Sequence, residues 1–444
     1  MIKPKYLCAL TLILIFNGCS DSDSEDETPT SIINSIEISG DISNDVTLSP
    51  NNEYLMTGQT FVKAGATMTI EPGTTVKSLP VDQVGAAPLL VIEPGARLLA
   101  EGTRDQPITF TTSVDESSLP ARGLWGGIVI LGRAPINQEG GQANVEGLPG
   151  IPFGGDDAMD DSGILRYVRI WYGGREIGEG NEINGLTMAG VGAGTTIDHV
   201  EVAWNLDDGF EFFGGTVNAK NLSALYCGDD SFDMDWGYQG KAQYLFSLSG
   251  RDVCGRGFEI DNDGRSMNAL PRTAPMVSNV TLIGPNGGDP GGDGTDQMIR
   301  LREGTAGRFK NVLVMNGNGV GLRISDDATQ ALVVFEDNDQ DRNGTLFFSP
   351  DNIIFNCVDG PFHSGNPDGL SVRDENPMLR NLVSTDAGYS EIDPRLAPES
   401  PFLMLSDPFI DDPFLDNVPF IGAFDDTDNW LEGWSWLDFA GRLK

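Results

Sequence analysis

The chain has 444 residues, with 28 Lys and Arg against 66 Asp and Glu, and its formal net charge is −38 at pH 7. Hydrophobic residues make up 39% of the sequence, which is enough for a large core and excludes a wholly disordered protein. The negative charge excludes nucleic acid as a partner, because a polyanion repels phosphates. Glycine, with 56 residues, is well above its usual share of about 7%, so we expect many tight turns.

Residues 1–18 predict a signal peptide. Lys3 and Lys5 precede an apolar run, Tyr6–Phe16, which is too short to cross a bilayer. The segment ends in Asn17-Gly18-Cys19, which resembles a bacterial lipobox. We therefore expect Cys19 to become the lipidated first residue of the mature chain, with its lipids as the membrane anchor.

Residues 19–35 predict an acidic linker. Ser20–Glu27 reads SDSDSEDE, a charged run that cannot collapse onto a core. An acidic run directly after a lipobox cysteine resembles the export signal that carries Bacteroidota lipoproteins to the outer face of the outer membrane. We expect a lipid-anchored outer-membrane protein that faces the cell exterior, the periplasmic face being the alternative. An outer-membrane transporter is one partner that such an address allows.

A repeat of about 22 residues runs through residues 36–370. Thr69–Gly73 recurs as Val91–Gly95, and Asp207–Glu211 recurs as Asp229–Asp233. A third motif alternates apolar and polar residues, as a half-buried strand does. Its copies are LRYVRI, IDHVEV, AKNLSA, KAQYLF, VSNVTL and FKNVLV, beginning at Leu165, Ile197, Ala219, Lys241, Val277 and Phe309. Short strands at this period, without long helices between them, predict an all-β fold: a single-stranded right-handed parallel β-helix.

The aligned copies also predict which residues stack from coil to coil. The central apolar position holds Val168, Val200, Leu222, Tyr244, Val280 and Val312. The position before it holds Asn221, Gln243, Asn279 and Asn311, joined by Tyr167 and His199, and we expect this ladder to satisfy the backbone at a bend. Residues 371–444 break the period and predict a C-terminal cap, whose Trp430, Trp434 and Trp436 would cover the last coil.

These sequences carry a family resemblance. The residues are TIEPGTTVKS, LLVIEPGARLLAEGTRDQPITFT, LWGGIVILGRAPIN, DDSGILRYVRIWYGG, LDDGFEFFGGTV, GDDSFDMDWGYQGKAQ and PFIGAF…NWLEGW. The chain resembles a family of uncharacterised, mostly Bacteroidota, outer-membrane lipoproteins with a pectin-lyase-like β-helix. The resemblance covers nearly the whole mature chain. It implies the fold, and it adds little on function because the family has no established activity.

One outward face is expected to run from acidic to basic. With Phe210, Phe232 and Phe258 pointing inward, the outward residues form stacked columns about 4.8 Å apart. The predicted ligand-binding residues are Glu211, Asp233, Asp235, Glu259, Asp261, Arg300 and Arg323. Three interpretations stay open: the columns bind a ligand, they bind cations, or they are a solvated face neutralised by arginines. We expect non-catalytic binding of a glycan or another extracellular ligand, with the insertion Glu139–Asp161 shaping the groove and Trp125, Trp171 and Trp236 as candidate stacking platforms.

An enzyme is the alternative. Asn205-Leu206-Asp207, Gly228-Asp229-Asp230, Gly255-Arg256-Gly257 and Arg323-Ile324-Ser325 resemble the N-x-D, G-D-D, G-H-G and R-I-K motifs of polygalacturonase-like glycosidases. Arginine replaces the histidine and serine replaces the lysine. The resemblance implies a polysaccharide hydrolase or lyase acting on an acidic glycan, with Asp208, Asp230 and Arg256 as its catalytic residues.

Two acidic loops predict cation sites, and two cysteines predict a disulfide. The loop residues Asp337, Asp339, Asp341 and Asn343 place oxygen ligands at alternate positions, which favours Ca²⁺, although glycine at position 6 and glutamate at position 12 are missing. Asp289, Asp293 and Asp296 form a weaker candidate. Calcium would suit a third function, a calcium-stabilised adhesion or scaffold protein, and no organic cofactor is expected. Cys227 and Cys254 fall at similar places in adjacent coils and predict a disulfide.

Overall fold

The structure, a computed structural model, describes residues 34–175, 183–288, 290–291, 295–337 and 343–444. The predicted signal peptide, Cys19 and most of the acidic linker lie outside the described residues. The loop residues Asp289, Asp293, Asp339 and Asp341 also lie outside them. Within the described residues, no helix is long and apolar enough to cross a membrane.

Short strands dominate the described residues. They are β1 (Asn34–Ile42), β2 (Val46–Leu48), β3 (Asn52–Val62), β4 (Thr67–Ile70), β5 (Thr75–Ser78), β6 (Leu90–Ile92), β7 (Arg97–Glu101), β8 (Ile108–Thr112), β9 (Ile128–Leu131), β10 (Gly163–Trp171), β11 (Leu186–Ala189), β12 (Thr196–Ala203), β13 (Phe210–Phe213), β14 (Asn218–Leu225), β15 (Phe232–Asp235), β16 (Lys241–Leu248), β17 (Phe258–Asp261), β18 (Met276–Ile283), β19 (Gln297–Arg302), β20 (Gly307–Met315), β21 (Val320–Ile324), β22 (Val333–Val334), β23 (Leu346–Phe348), β24 (Ile353–Phe355), β25 (Leu379–Thr385) and β26 (Gly388–Leu396). The helices are single turns: α1 (Val81–Val84), α2 (Asp327–Gln330) and α3 (Trp436–Phe439).

The strands wind into a right-handed parallel β-helix with three faces, which confirms the predicted fold. Face A is the ladder β9, β11, β13, β15, β17, β19 and β21, preceded by β6. Face B starts with β4 and β7 and continues through the first halves of β10, β12, β14, β16, β18 and β20. Face C starts with β5 and β8 and continues through the second halves of the same long strands. Apolar side chains of all three faces fill the interior.

A one-residue bend separates faces B and C in each long strand. The bend residues are Tyr167, His199, Asn221, Tyr244, Asn279 and Asn311, all with φ between 49° and 60°. The sequence alignment was wrong by one residue in β16: Leu245, not Tyr244, pairs with Leu222 and Val280. The cause is one extra residue in this coil, which puts Tyr244 at the bend. Gln243 still donates a hydrogen bond from Nε2 to Oδ1 of Asn279, 3.0 Å away, so the side-chain ladder is kept.

The C-terminal segment lies along face C, which corrects the expectation that its aromatic residues cover the last coil. The Trp434 ring contacts Tyr167 at 5.5 Å, and the Trp436 ring contacts Trp204 at 5.4 Å, both in the middle coils. The outward apolar residues of face C pack against this segment, including Leu225, Leu248, Ile283 and Leu313. Because these side chains point outward and are apolar, the β-helix needs this cover to bury them.

Candidate functional site

The outward residues of face A form the predicted column. Glu211, Asp233 and Glu259 pair in register across β13, β15 and β17, and the column continues into Arg300 and Arg323 of β19 and β21. The inward neighbours Phe210, Phe232 and Phe258 stack beneath it. The repeat therefore predicted the register of the column correctly, because equal coil lengths bring equivalent residues side by side.

A cavity of about 300 Å³ opens at the acidic end of this column, and we call it the acidic cleft. Its lining residues are Val145, Glu146, Asn184, Asp207, Asp208, Glu211, Phe213, Asp229, Asp235 and Trp236. Val145 and Glu146 belong to the insertion Glu139–Asp161, so this insertion forms part of the wall of the cavity. Sequence reasoning missed Asn184 and Glu146, which lie outside the repeated motifs.

The carboxylates of the acidic cleft crowd together because the turns before β13 and β15 repeat after 22 residues. One oxygen from each of Asp207, Asp208 and Asp229 lies within 4.8 Å of the others. The same holds for Asp208, Glu211 and Asp233. A backbone N–H also enters the cluster, since Asp230 donates to Oδ1 of Asp208 at 2.8 Å.

Burial raises the pKa of four of these carboxyl groups well above the ordinary range: Asp208, Glu211, Asp233 and Asp235. The neighbouring charges that act most strongly on them are all carboxylates, and each raises the pKa further. Asn184, only 5% exposed, donates from Nδ2 to Glu211, whereas its Oδ1 is buried without a hydrogen-bond partner. The acidic cleft thus combines crowded carboxyl groups, whose ionised forms are disfavoured, with an amide oxygen that has no hydrogen-bond partner.

The next coil differs, because its carboxylates are paired with arginines. Arg256 lies 3.0 Å from Asp230 and 3.1 Å from Glu259. Glu259 also lies 3.5 Å from Arg300, and Arg302 lies 2.6 Å from Asp261. Asp230 and Arg256 are 2% and 6% exposed and are paired with each other, and neither lines the acidic cleft.

A protein-family model matches most of the chain. Residues 40–351 match the model of a pectate-lyase like beta helix domain. The chain belongs to this family. The matched residues include the whole acidic cleft and the arginine-paired coil, and the match agrees with the predicted pectin-lyase-like fold. No curated protein matches the chain, and no solved structure matches it.

The basic end of the column in this β-helix is partly neutralised. Arg323 donates from Nη1 to Oε1 of Gln297 at 3.3 Å and lies 3.8 Å from Asp296. Arg300 keeps a buried Nε without a hydrogen-bond partner. The column therefore changes from carboxylates that face other carboxylates, through ion pairs, to Arg300, whose Nε has no hydrogen-bond partner.

The aromatic candidates differ in exposure. Trp125 is fully buried and Trp171 is 4% exposed, so neither offers a free ring face on face A. Trp236 is half-buried, lines the acidic cleft and stacks on Phe153 with a centroid distance of 6.2 Å. Of the three, only Trp236 is placed to contact a ligand in the acidic cleft.

The predicted calcium loop is described only at its two ends. Asp337 lies 2.9 Å from Arg308 and 2.5 Å from Lys310, so its carboxylate already balances two cations. Asn343 is exposed. The first expected ligand therefore pairs with two basic side chains in the structure.

The predicted disulfide is not formed in the structure. Cys227, Cys254 and Cys357 are free thiols, and the first two are buried. Burial raises the pKa of both the Cys227 and the Cys254 thiol to about 12. Both therefore stay protonated at neutral pH and act as small apolar side chains.

Proposed function

We propose that the protein binds a carbohydrate in the acidic cleft and along the adjoining arginines of face A, without turning it over. The observation that carries the proposal is an open cavity in which carboxylates, an amide and the half-buried Trp236 ring converge. Polar groups that converge around an aromatic ring are typical of a small-ligand site. The pectate-lyase-like family adds support, because its description points to carbohydrate.

Binding is favoured over catalysis because the carboxylates of the acidic cleft are crowded and two of the predicted catalytic residues are paired with each other. Asp207, Asp208 and Asp229 bring oxygens within 4.8 Å of one another. The predicted catalytic residues Asp230 and Arg256 are bound to each other. Crowded oxygens of this kind suit a cation better than an attacking water.

A hard divalent cation, Ca²⁺ in the first place, fits the acidic cleft. Asp208, Glu211 and Asp233 offer three close carboxylate oxygens, and Asn184 offers a free amide oxygen. Oxygen ligands of mixed carboxylate and carbonyl type are those that Ca²⁺ prefers. A bound cation would also offset the charge that raises the pKa of these groups, and it would hold sugar hydroxyls or carboxylates at the opening.

Thermal unfolding with Ca²⁺ and with EDTA at pH 7 tests the cation. We expect Ca²⁺ to raise the Tm of the wild type, and Asp208→Asn to remove this shift. The matched variant is Asp337→Asn in the predicted calcium loop, which should keep it. Loss of the shift in Asp337→Asn alone would assign the cation to the loop, and no shift in the wild type would reject it in both places.

Calorimetric titration with acidic oligosaccharides tests the binding proposal. We expect saturable binding that Asp235→Asn and Arg300→Ala both weaken, with no new reducing ends and no ultraviolet absorbance from an unsaturated product. Glu37→Gln, an exposed residue that lines neither cavity, serves as the control for this cleft. Binding that is equal in all variants would contradict the assignment to face A.

A hydrolase is the second candidate. The raised pKa of the Asp208 carboxyl favours it, since burial that raises the pKa of a carboxyl is typical of general acids. Its partners would then be Asp207 or Asp229, not Asp230. Release of reducing ends by the wild type and not by Asp208→Asn would establish this candidate over simple binding.

We further propose that the protein is a lipoprotein of the outer membrane, anchored through Cys19 and facing the cell exterior, where a transporter for the bound glycan would be its partner. The support is the sequence of the first 27 residues. Radiolabelled palmitate should label the wild type and not Cys19→Ala in cells. Protease treatment of intact cells separates the exterior from the periplasmic face.

A further inference from the structure

A second groove lies on face C, away from the acidic cleft. Its floor is an outward column across three neighbouring coils. Lys77 of β5 pairs with Thr111 of β8, and Trp171 of β10 continues the column because the preceding residue, Ile170, pairs with Phe110. The coil spacing of about 4.8 Å makes this floor about 10 Å long.

Two walls rise from this floor. One is the loop after β8, whose Val114, Glu116, Leu119 and Pro120 line the groove, and the other is α3, which contributes Trp436 and Phe439. The enclosed volume is about 420 Å³, which falls in the range of about 300–1,000 Å³ usual for small-ligand sites. The described lining residues of this groove and of the acidic cleft do not overlap.

Hydrogen bonds hold the two tryptophan rings of the groove in place. Trp171 donates from Nε1 to Glu201 at 2.9 Å, and Trp436 donates from Nε1 to the Tyr172 hydroxyl at 3.0 Å. Phe439 packs on Trp171 at 5.4 Å and is nevertheless 65% exposed. An apolar ring kept this exposed beside two buried tryptophans is a preorganised contact surface.

We propose that this groove binds a neutral sugar residue, with Phe439 as its exposed stacking platform. A pyranose ring has apolar C–H faces and a rim of hydroxyl groups. Aromatic rings match the faces, and the hydroxyl groups of Thr111 and Ser113 with the charged groups of Lys77 and Glu116 match the rim. The two charges are opposite, one basic and one acidic, which favours a neutral ligand over the charged ligands expected in the acidic cleft.

The inference extends the proposed glycan binding to a second place, and its test separates the two sites. Quenching or enhancement of tryptophan fluorescence is titrated with the neutral trisaccharides cellotriose, maltotriose and xylotriose at millimolar concentration. We expect saturable binding of at least one trisaccharide to the wild type. Phe439→Ala should weaken it about tenfold, the usual effect of losing one aromatic contact, and Phe439→Trp should restore it.

The matched control is Met404→Ala, which removes an exposed apolar side chain (76% exposed) that does not line the groove. It should bind the trisaccharide as the wild type does, and so should Arg300→Ala on face A. Absence of saturable binding to all three trisaccharides would overturn the inference, and so would equal affinity in Phe439→Ala and the wild type. Loss in Arg300→Ala with retention in Phe439→Ala would assign the neutral sugar to face A instead.

Discussion

Glu201 shows how one buried residue ties the C-terminal segment to the β-helix. It is fully buried, and its carboxylate accepts hydrogen bonds from Trp171 Nε1 at 2.9 Å, from the Trp436 backbone N–H at 2.7 Å and from the Ser223 hydroxyl at 3.3 Å. Burial raises the pKa of Glu201 to about 7, and these donors only partly oppose that rise. Sequence reasoning did not single out this residue, because its partners are as many as 235 positions away.

This residue makes stability depend on pH. A carboxyl whose pKa is raised by folding contributes stability that is complete below its unfolded pKa, 4.5, and is lost as the pH rises to about 7. Between pH 5 and pH 8 we expect the free energy of unfolding of the wild type to fall by about 2–3 kcal/mol more than that of Glu201→Gln. Urea unfolding at both pH values measures this difference. The exposed Glu37→Gln is the control and should follow the wild type.

The Asp230–Arg256 pair also acts at the residue scale. Both side chains are buried, so removing one leaves a charge without a partner. We expect Arg256→Met to lower the free energy of unfolding by about 3–5 kcal/mol, and the double variant Asp230→Asn/Arg256→Met to regain much of the loss. Urea unfolding of the wild type, Asp230→Asn, Arg256→Met and the double variant measures the coupling free energy between the two side chains. An equal loss of unfolding free energy in the single and double variants would contradict a structural pair. It would then favour a reactive role for both residues.

The strand register of face A is the part of the fold that the sequence repeat predicted best. A sequence repeat of 22 residues brings Glu211 beside Asp233 and Asp208 beside Asp230 whatever the loops do, because successive coils hydrogen-bond in parallel register. An inserted residue breaks this reasoning, as it did at Tyr244. The repeat also did not predict the walls of the acidic cleft, because Glu146 and Asn184 come from segments without a repeat. These residues reach the cleft only through tertiary packing.

The crowded carboxylates of the acidic cleft lower the free energy of unfolding when no cation is bound. The Asp233 pKa is raised by burial and then by Glu259 and Glu211, so the ionised form is unfavourable in the folded state without a cation. In EDTA, Asp233→Asn should increase the free energy of unfolding by about 1 kcal/mol at pH 8, and this gain should shrink as the pH falls toward 3.8, the ordinary pKa of the carboxyl in the unfolded chain. The exposed Asp359→Asn is the control. A loss of stability at pH 8 would show that Asp233 forms stabilising contacts instead.

At the scale of the whole molecule, the charge of −38 is distributed unevenly. In the described residues, arginines pair with Asp230, Glu259 and Asp261, whereas the charged neighbours that act most strongly on Asp208 and Asp233 are other carboxylates. The apolar surface is uneven as well, because face C carries outward leucines that the C-terminal segment covers. That segment had been expected at the end of the β-helix, and no periodic signal in residues 371–444 indicates which face it contacts.

The position of the C-terminal segment predicts what its removal does. A chain that ends at Leu370 would expose Leu225, Leu248 and Leu313, each at most 1% exposed in the intact protein. Because a continuous apolar stripe on a β-helix associates with other copies, we expect this shortened chain to aggregate on size-exclusion chromatography and to bind the dye ANS. Replacing the three leucines by threonine in the shortened chain should reduce both effects. A monomeric shortened chain without ANS binding would mean that face C does not depend on this cover.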